Sequence, residues 1–360
     1  MKIEYYFIVA AIIHGVLLLG ALCFSSGGNR VANRLLALLV ALMTWSLWNL
    51  YSYSLGLAAY WRLFDYGNWV TVFFWGPVMY FYVGYVSGEV RFDRKKIGQH
   101  CMVGMMMFLL QLLSHYGQAT GLLSQEHIDR FNTISLLIFY VQLGLYLFVC
   151  IQLLIRYNLK IKQEYSNIDA INLAWLQKVV TIFAVLHFVD MTFTVPAVIK
   201  AQENPWLTGL MLAESVAIFS IGYFSLLKVD VLLTPSKPKY DNSSMSDSAS
   251  VELLNRLKVV MDNDEPYLQN NLTLPQLAKL IGVSSHLTSQ VINEHCGKNF
   301  YDFVNEYRVK AATELLLEKK SNNITQIAFD SGFNNRVSFN NAFKKYVGMT
   351  PSVYRRQNSS

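Results

Sequence analysis

The chain carries two hydrophobic rhythms. Between residues 1 and 233, long apolar runs alternate with short polar loops; from residue 251 onward, apolar positions recur at helical spacing beside ordinary polar faces. About 20 apolar residues cross the hydrocarbon core of a bilayer as a helix. The first region divides into seven such stretches, near 5–24, 35–55, 69–88, 100–116, 132–155, 173–199 and 206–228. The fourth is the shortest and is rich in Met and Gly. The pattern predicts an all-α protein, with an N-terminal bundle of about seven transmembrane helices at 1–233. A linker at 234–250 and a soluble helical domain at 251–360 follow.

In the soluble part, Thr273 and Gln276 form a capping box that starts a helix with Leu274, Leu277 and Ala278 on its buried stripe. Gly282 permits a tight turn, and Ser284 caps a second helix running to His295. Helix, short Gly-containing turn and helix is the helix-turn-helix arrangement. About 50 residues later Asn323, Gln326, Ala328 and Gly332 repeat the cap and the Ala-x-x-x-Gly spacing, and a helix follows over 335–346. A helix over 300–320, with Phe303, Val304, Tyr307, Ala311, Leu315 and Leu316 on its apolar stripe, separates the two units.

Composition agrees with two different solvents. The chain is 53% hydrophobic and only 15% charged, against about 25% charged in ordinary soluble domains. Its net charge of +6 is shared evenly: 17 basic and 14 acidic residues up to 250, 13 and 10 after it. Neither half is basic enough for charge alone to announce nucleic acid. Cys23, Cys101, Cys150 and Cys296 show no metal-ligand spacing and read as free thiols; no metal and no cofactor is expected.

Positive residues near spans stay cytoplasmic. One set of loops carries Arg30, Arg34, Arg91, Arg94, Lys95, Lys96, Arg156, Lys160 and Lys162, continued by Lys228, Lys237 and Lys239. The opposite set holds only Lys2, Arg62, Arg130 and Lys200. This alternation puts the N-terminus outside and the C-terminal domain in the cytoplasm, as in a multi-pass protein of the bacterial inner membrane. A cleaved signal peptide over 1–24 is the rival reading; Glu4 beside Lys2, and Leu22 before Cys23, disfavour it.

Inside the spans, His14, Asp190 and Glu214 lie about 15 Å deep by helical rise, and His187 sits one turn from Asp190. Buried ionisable groups in a membrane mark a ligand or proton site, or they tie helices together by hydrogen bonds; both readings stand. Pro77 and Pro196 are expected to kink their helices. The linker, TPSKPKYDNSSMSDSAS, has no apolar periodicity and reads as a flexible tether.

The run IAFDSGFNNRVSFNNAFKKYVGMTPSVYR resembles the signature of AraC/XylS-type regulators. The matching residues are Ile327-Ala328, Gly332-Phe333, Phe339 to Phe343-Lys344, Gly348, Thr350-Pro351 and Tyr354-Arg355. The resemblance covers 251–357 and not the membrane half, although family members with several spans occur. It implies two units entering successive major grooves about 34 Å apart. Position by position it implies that His286, Ser289 and Gln290 of the first unit, and Arg336, Val337, Asn340 and Asn341 of the second, face base edges. Lys344, Lys345 and Arg355 are assigned to phosphate, and Phe333, Phe339 and Phe343 to the core. Thr288 and Ile292 depart from the usual Leu and Phe, which implies a looser first unit or one that reads fewer bases.

The expected function is a membrane-anchored one-component transcription regulator, an activator by its family. Its partners would be duplex promoter DNA, the lipid bilayer, RNA polymerase and a small-molecule or protein signal; a homodimer stays open. The alternative is a transporter or ion-conducting bundle with an accessory DNA-binding domain. No nucleophile–base signature, metal-ligand cluster or Gly-rich phosphate loop points to an enzyme.

Overall fold

The computed structural model describes residues 3–24, 29–57, 71–90, 93–200, 207–227, 247–318 and 323–358. Among these residues the secondary structure is helical, apart from an isolated bridge between Tyr165 and Thr273. Two compact units form: residues 1–156 with 173–232, and residues 157–172 with 233–360.

The first unit contains α1 (Ile3–Phe24), α2 (Arg30–Ser54), α3 (Trp75–Val86), α4 (Arg94–Ala119), most of α5 (Gln125–Glu164), α6 (Ala174–Ile199) and α7 (Leu207–Leu227). Side-chain caps set two starts: Asn29 Oδ1 accepts from Val31 N at 2.9 Å, and Asp93 Oδ1 from Lys95 N at 3.0 Å. Gly15 lets α1 approach α2, because a Cβ there would collide with the Thr44 side chain.

Among the described residues six helices are long and apolar enough to cross a bilayer, against the about seven that the sequence pattern suggests. The third stretch is the one not counted. Residues 69 and 70 fall outside the described residues, and the described apolar helix covers Val72–Val86. At the helical rise the described part is about 22 Å long, against a hydrocarbon core of about 30 Å. Pro77 is the third residue of α3, in its first turn, where a missing N–H costs little. Pro196 is inside α6, one turn from its end. The Met-rich fourth stretch is a full helix and counts among the six. Ile13, Leu17, Leu113, Val141, Leu145 and Phe188 are exposed on the outside of this unit.

Of the residues used to orient the bundle, Lys2, Arg62, Arg91, Lys228, Lys237 and Lys239 lie outside the described residues, as do positions 234–246 of the linker. Positions 247–250 already belong to α8 (Asp247–Asn263), a helix the sequence pattern did not suggest.

The second unit adds α9 (Leu274–Ile281), α10 (Ser285–Cys296), α11 (Phe300–Glu318), α12 (Ile324–Asp330), α13 (Arg336–Val347) and α14 (Pro351–Asn358). It has two cores. Leu253, Leu257 and Met261 of α8 pack with Leu277, Ile281, Val291 and Ile292 in the first. Ile327, Ala328, Phe333, Phe339 and Phe343 make the second. α11 serves both: Phe300, Phe303 and Val304 enter the first core, and Val309, Ala312 and Leu316 the second.

Candidate functional site

Each half of the second unit is a helix pair closed by a left-handed residue. Gly282 ends α9 at φ 74°, and Ser284 then accepts from Leu287 N at 3.3 Å to start α10. In the other half Gly332 takes φ 88°, and Asn335 Oδ1 accepts from Ser338 N at 2.9 Å to start α13. The two first helices are capped differently from the matched pattern. Thr273 N donates to Gln276 Oε1 at 2.8 Å, as a capping box requires. Asn323 Oδ1 accepts from Thr325 N, but Gln326 turns forward and donates to Asp330 Oδ1 at 2.8 Å. An acceptor one turn ahead competes with the cap and wins.

α10 buries Thr288, Val291 and Ile292. Thr288 is fully buried; its hydroxyl donates back to the Ser284 carbonyl at 3.0 Å, so the core there meets a satisfied methyl-bearing side chain. His286, Ser289 and Gln290 are half-buried on the opposite side. Gln290 donates to Glu294 at 3.0 Å, and Ser289 Oγ accepts from Asn293 at 3.3 Å.

α13 buries Phe339, Ala342 and Phe343. Helical spacing sends Arg336, Val337, Asn340, Asn341 and Lys344 to its other side. All but the half-buried Asn340 are exposed there, Val337 at 69%. An aliphatic side chain left that open has no packing role in the isolated chain. Lys344 is exposed, whereas Lys345 pairs with Asp302 at 2.6 Å and lies over the Tyr346 ring. Arg355 is half-buried. Phe333, Phe339 and Phe343 form a run of ring contacts at 5.3 and 5.6 Å inside the core.

Three further residues had no sequence signal. Arg308, 1% exposed, lies on α11 between the two cores. Its Nε donates to the Tyr267 carbonyl at 2.8 Å, and its terminal nitrogens to the Gln269 and Asn270 carbonyls and to both oxygens of Ser166. Burial draws the guanidinium down to about 10, which leaves it charged at neutral pH. Asp169 meets the start of α13: its carboxylate accepts from Asn335 Nδ2 and from Ser338 Oγ, each at 2.6 Å. Ser166 and Asp169 belong to the segment after α5, more than a hundred residues away in sequence, so no local pattern announces them.

In the first unit, Asp190, Glu214 and His187 line one cavity of about 350 Å³. Asp190 accepts from Tyr140 Oη and Thr194 Oγ1, each at 2.7 Å. His14 is not among the lining residues. It stacks on Phe219 at 4.9 Å and packs on Gly222, where a Cβ would collide with its Nε2.

Paired helix-turn-helix units on a shared central helix define the domain class. Residues 277–357 match the family described as helix-turn-helix domain, and the C-terminal domain is of the AraC type. The chain is 33% identical over 104 residues to the HTH-type transcriptional regulator GlxA of Rhizobium meliloti, a stretch covering 29% of this chain and 32% of that protein. It is 29% identical over 129 residues to an uncharacterized HTH-type transcriptional regulator of Pseudoalteromonas carrageenovora, covering 35% of this chain and 76% of that one. Among solved structures it is similar to the C-terminal domain of AraT, a response regulator from Geobacillus stearothermophilus. Identity there is 29%, over 32% of this chain and 88% of that chain, with a TM-score of 0.26. The chain thus spans about a third of the length of the Rhizobium relative. These relatives are named as transcription regulators, not enzymes.

Proposed function

We propose that this protein is a membrane-anchored one-component transcription regulator, with its DNA-binding domain at 251–360 in the cytoplasm of a bacterial cell. The observation that carries the DNA reading is the outer face of α13: Arg336, Val337, Asn341 and Lys344 exposed over a buried Phe339–Phe343 core. α13 and α10 enter successive major grooves. Arg336 pairs with guanine, Asn340 and Asn341 with adenine, and Val337 meets a thymine methyl. His286, Ser289 and Gln290 read the other half-site; Lys344, Lys345 and Arg355 hold phosphate. The regulator activates by recruiting RNA polymerase to a promoter.

Six long apolar helices among the described residues support the anchoring. The apolar side chains exposed on the first unit are what a lipid-facing surface requires. Coupling runs through residues 157–172, which by sequence join two spans. Asp169 places a carboxylate at the start of the reading helix, where DNA brings negative phosphates. A signal that withdraws this segment frees α13 for the groove.

Footprinting of the full chain in nanodiscs on promoter fragments tests this. Two protected patches about one helical turn apart are expected, and a single patch or none overturns the reading. A reporter active only outside the cytoplasm, fused after Ser360, should stay silent; a strong signal overturns the topology.

A further inference from the structure

We infer that the cavity lined by α2, α3, α5, α6 and α7 binds a small organic ammonium ion. This rests on reading the first unit as a membrane-embedded sensor and names what it senses. The volume of about 350 Å³ falls within the range of small-molecule sites, about 300–1,000 Å³.

The lining decides the ligand's charge. Two carboxyl side chains, Asp190 and Glu214, face the cavity, and among the described residues no Lys or Arg does. Both are nine-tenths or more buried, at 5% and 4% exposure. Asp190 is held in place by Tyr140 and Thr194. Glu214 Oε1, by contrast, is buried without a hydrogen-bond partner. Leaving such an acceptor bare is expensive, about 1–3 kcal/mol and more for a charged group, so the site is complete only when something donates to it. An anion finds no cationic partner on this wall, and an apolar guest leaves Oε1 unpaired. An ammonium group has up to three donors and the complementary charge.

The rest of the wall suits the same ion. Trp75, Phe139 and Phe183 stand together, with Trp75 6.5 Å from Phe139 and 6.0 Å from Phe183. Ring faces attract cations, Trp most strongly. His187 Nε2 lies 3.2 Å from the Tyr140 carbonyl. That oxygen only accepts, so Nε2 carries a proton and donates to it. Trp75 Nε1 is also buried without a partner, so a ligand with an acceptor oxygen as well as the amine meets both vacant groups.

The test uses the full chain in phosphatidylcholine nanodiscs, without DNA. Three near-isosteric probes differ in charge: tyramine, neutral para-ethylphenol and anionic para-hydroxyphenylpropionate; hexylamine and hexanol give an aliphatic pair. Binding is read by intrinsic fluorescence and by thermal shift. An amine should bind at least about tenfold tighter than its neutral and anionic analogues, with the fluorescence change lost in Trp75→Phe. Glu214→Gln and Asp190→Asn should each weaken the amine by about tenfold or more and leave para-ethylphenol unchanged. If Glu214→Gln does not accumulate in the membrane, the charge series on the unaltered chain decides alone. No amine binding, or equal binding of amine and neutral analogue, overturns the inference. Failure here leaves promoter footprinting untouched; intact amine binding with no footprint faults the regulator reading instead.

Discussion

The two helix-turn-helix units use the same parts under different constraints. Gly282 and Gly332 both close a turn at positive φ, 74° and 88°. Around Gly282 a Cβ would meet only Arg256 Nη2, at 3.5 Å. At Gly332 it would strike the Tyr267 carbonyl and crowd Leu268 and Arg308. The first glycine answers to its own backbone; the second answers to backbone near residue 267 as well. The second helices of the two units are also held differently. In α10 Gln290 bonds to Glu294 within the helix and His295 to Ser250 of α8, whereas the start of α13 is held by Asp169 from a distant segment. The distant segment therefore meets both units but at different places: the start of α9 in the first, where Ser166 N donates to the Leu272 carbonyl at 3.1 Å, and the start of α13 in the second.

Breaking the anchor between the cores has the largest expected effect. Arg308→Leu strands several backbone carbonyls and should destabilise the second unit by about 3–5 kcal/mol, read as a lowered unfolding midpoint. A shift under about 1 kcal/mol would mean water replaces the guanidinium.

The glycine pair sharpens the contrast directly. Gly332→Ala combines left-handed strain with overpacking, about 2–5 kcal/mol, while Gly282→Ala carries the strain alone, about 1–2 kcal/mol. Equal losses in denaturant melts would erase the distinction between the units.

Arg336→Ala should lose about 1–3 kcal/mol at one base position and relax preference there. A selection on randomised promoter sites checks this; an unchanged base preference removes Arg336 from the reading set. Lys344→Ala should weaken all sequences alike and lower the salt slope by about 1, with a smaller drop for Lys345→Ala, whose ammonium already pairs with Asp302.

Smallest is the effect at the tie itself. Asp169→Ala should raise promoter affinity about tenfold, or about 1.4 kcal/mol, in gel shifts with the full chain. Unchanged affinity would leave Asp169 as structural support only.

The sequence by itself determined the helical class, both helix-turn-helix units and the buried faces of their helices. Those follow from local rules: caps, turn glycines and a 3.6-residue period fix which side of Phe339 and Phe343 is apolar. The same local reading placed Asp190 and Glu214 at similar depth, without revealing that His187 joins them at a cavity and His14 does not. It suggested about seven spans, of which six are long enough among the described residues, the third stretch being only partly described. It also matched Gln326 to Gln276, although Asp330 one turn ahead takes the amide. Only tertiary structure brought Ser166 and Asp169 to Arg308 and Asn335, from more than 130 residues away in sequence. Such contacts are set by how distant segments pack, and a polar residue carries no periodic mark of the partner it will meet.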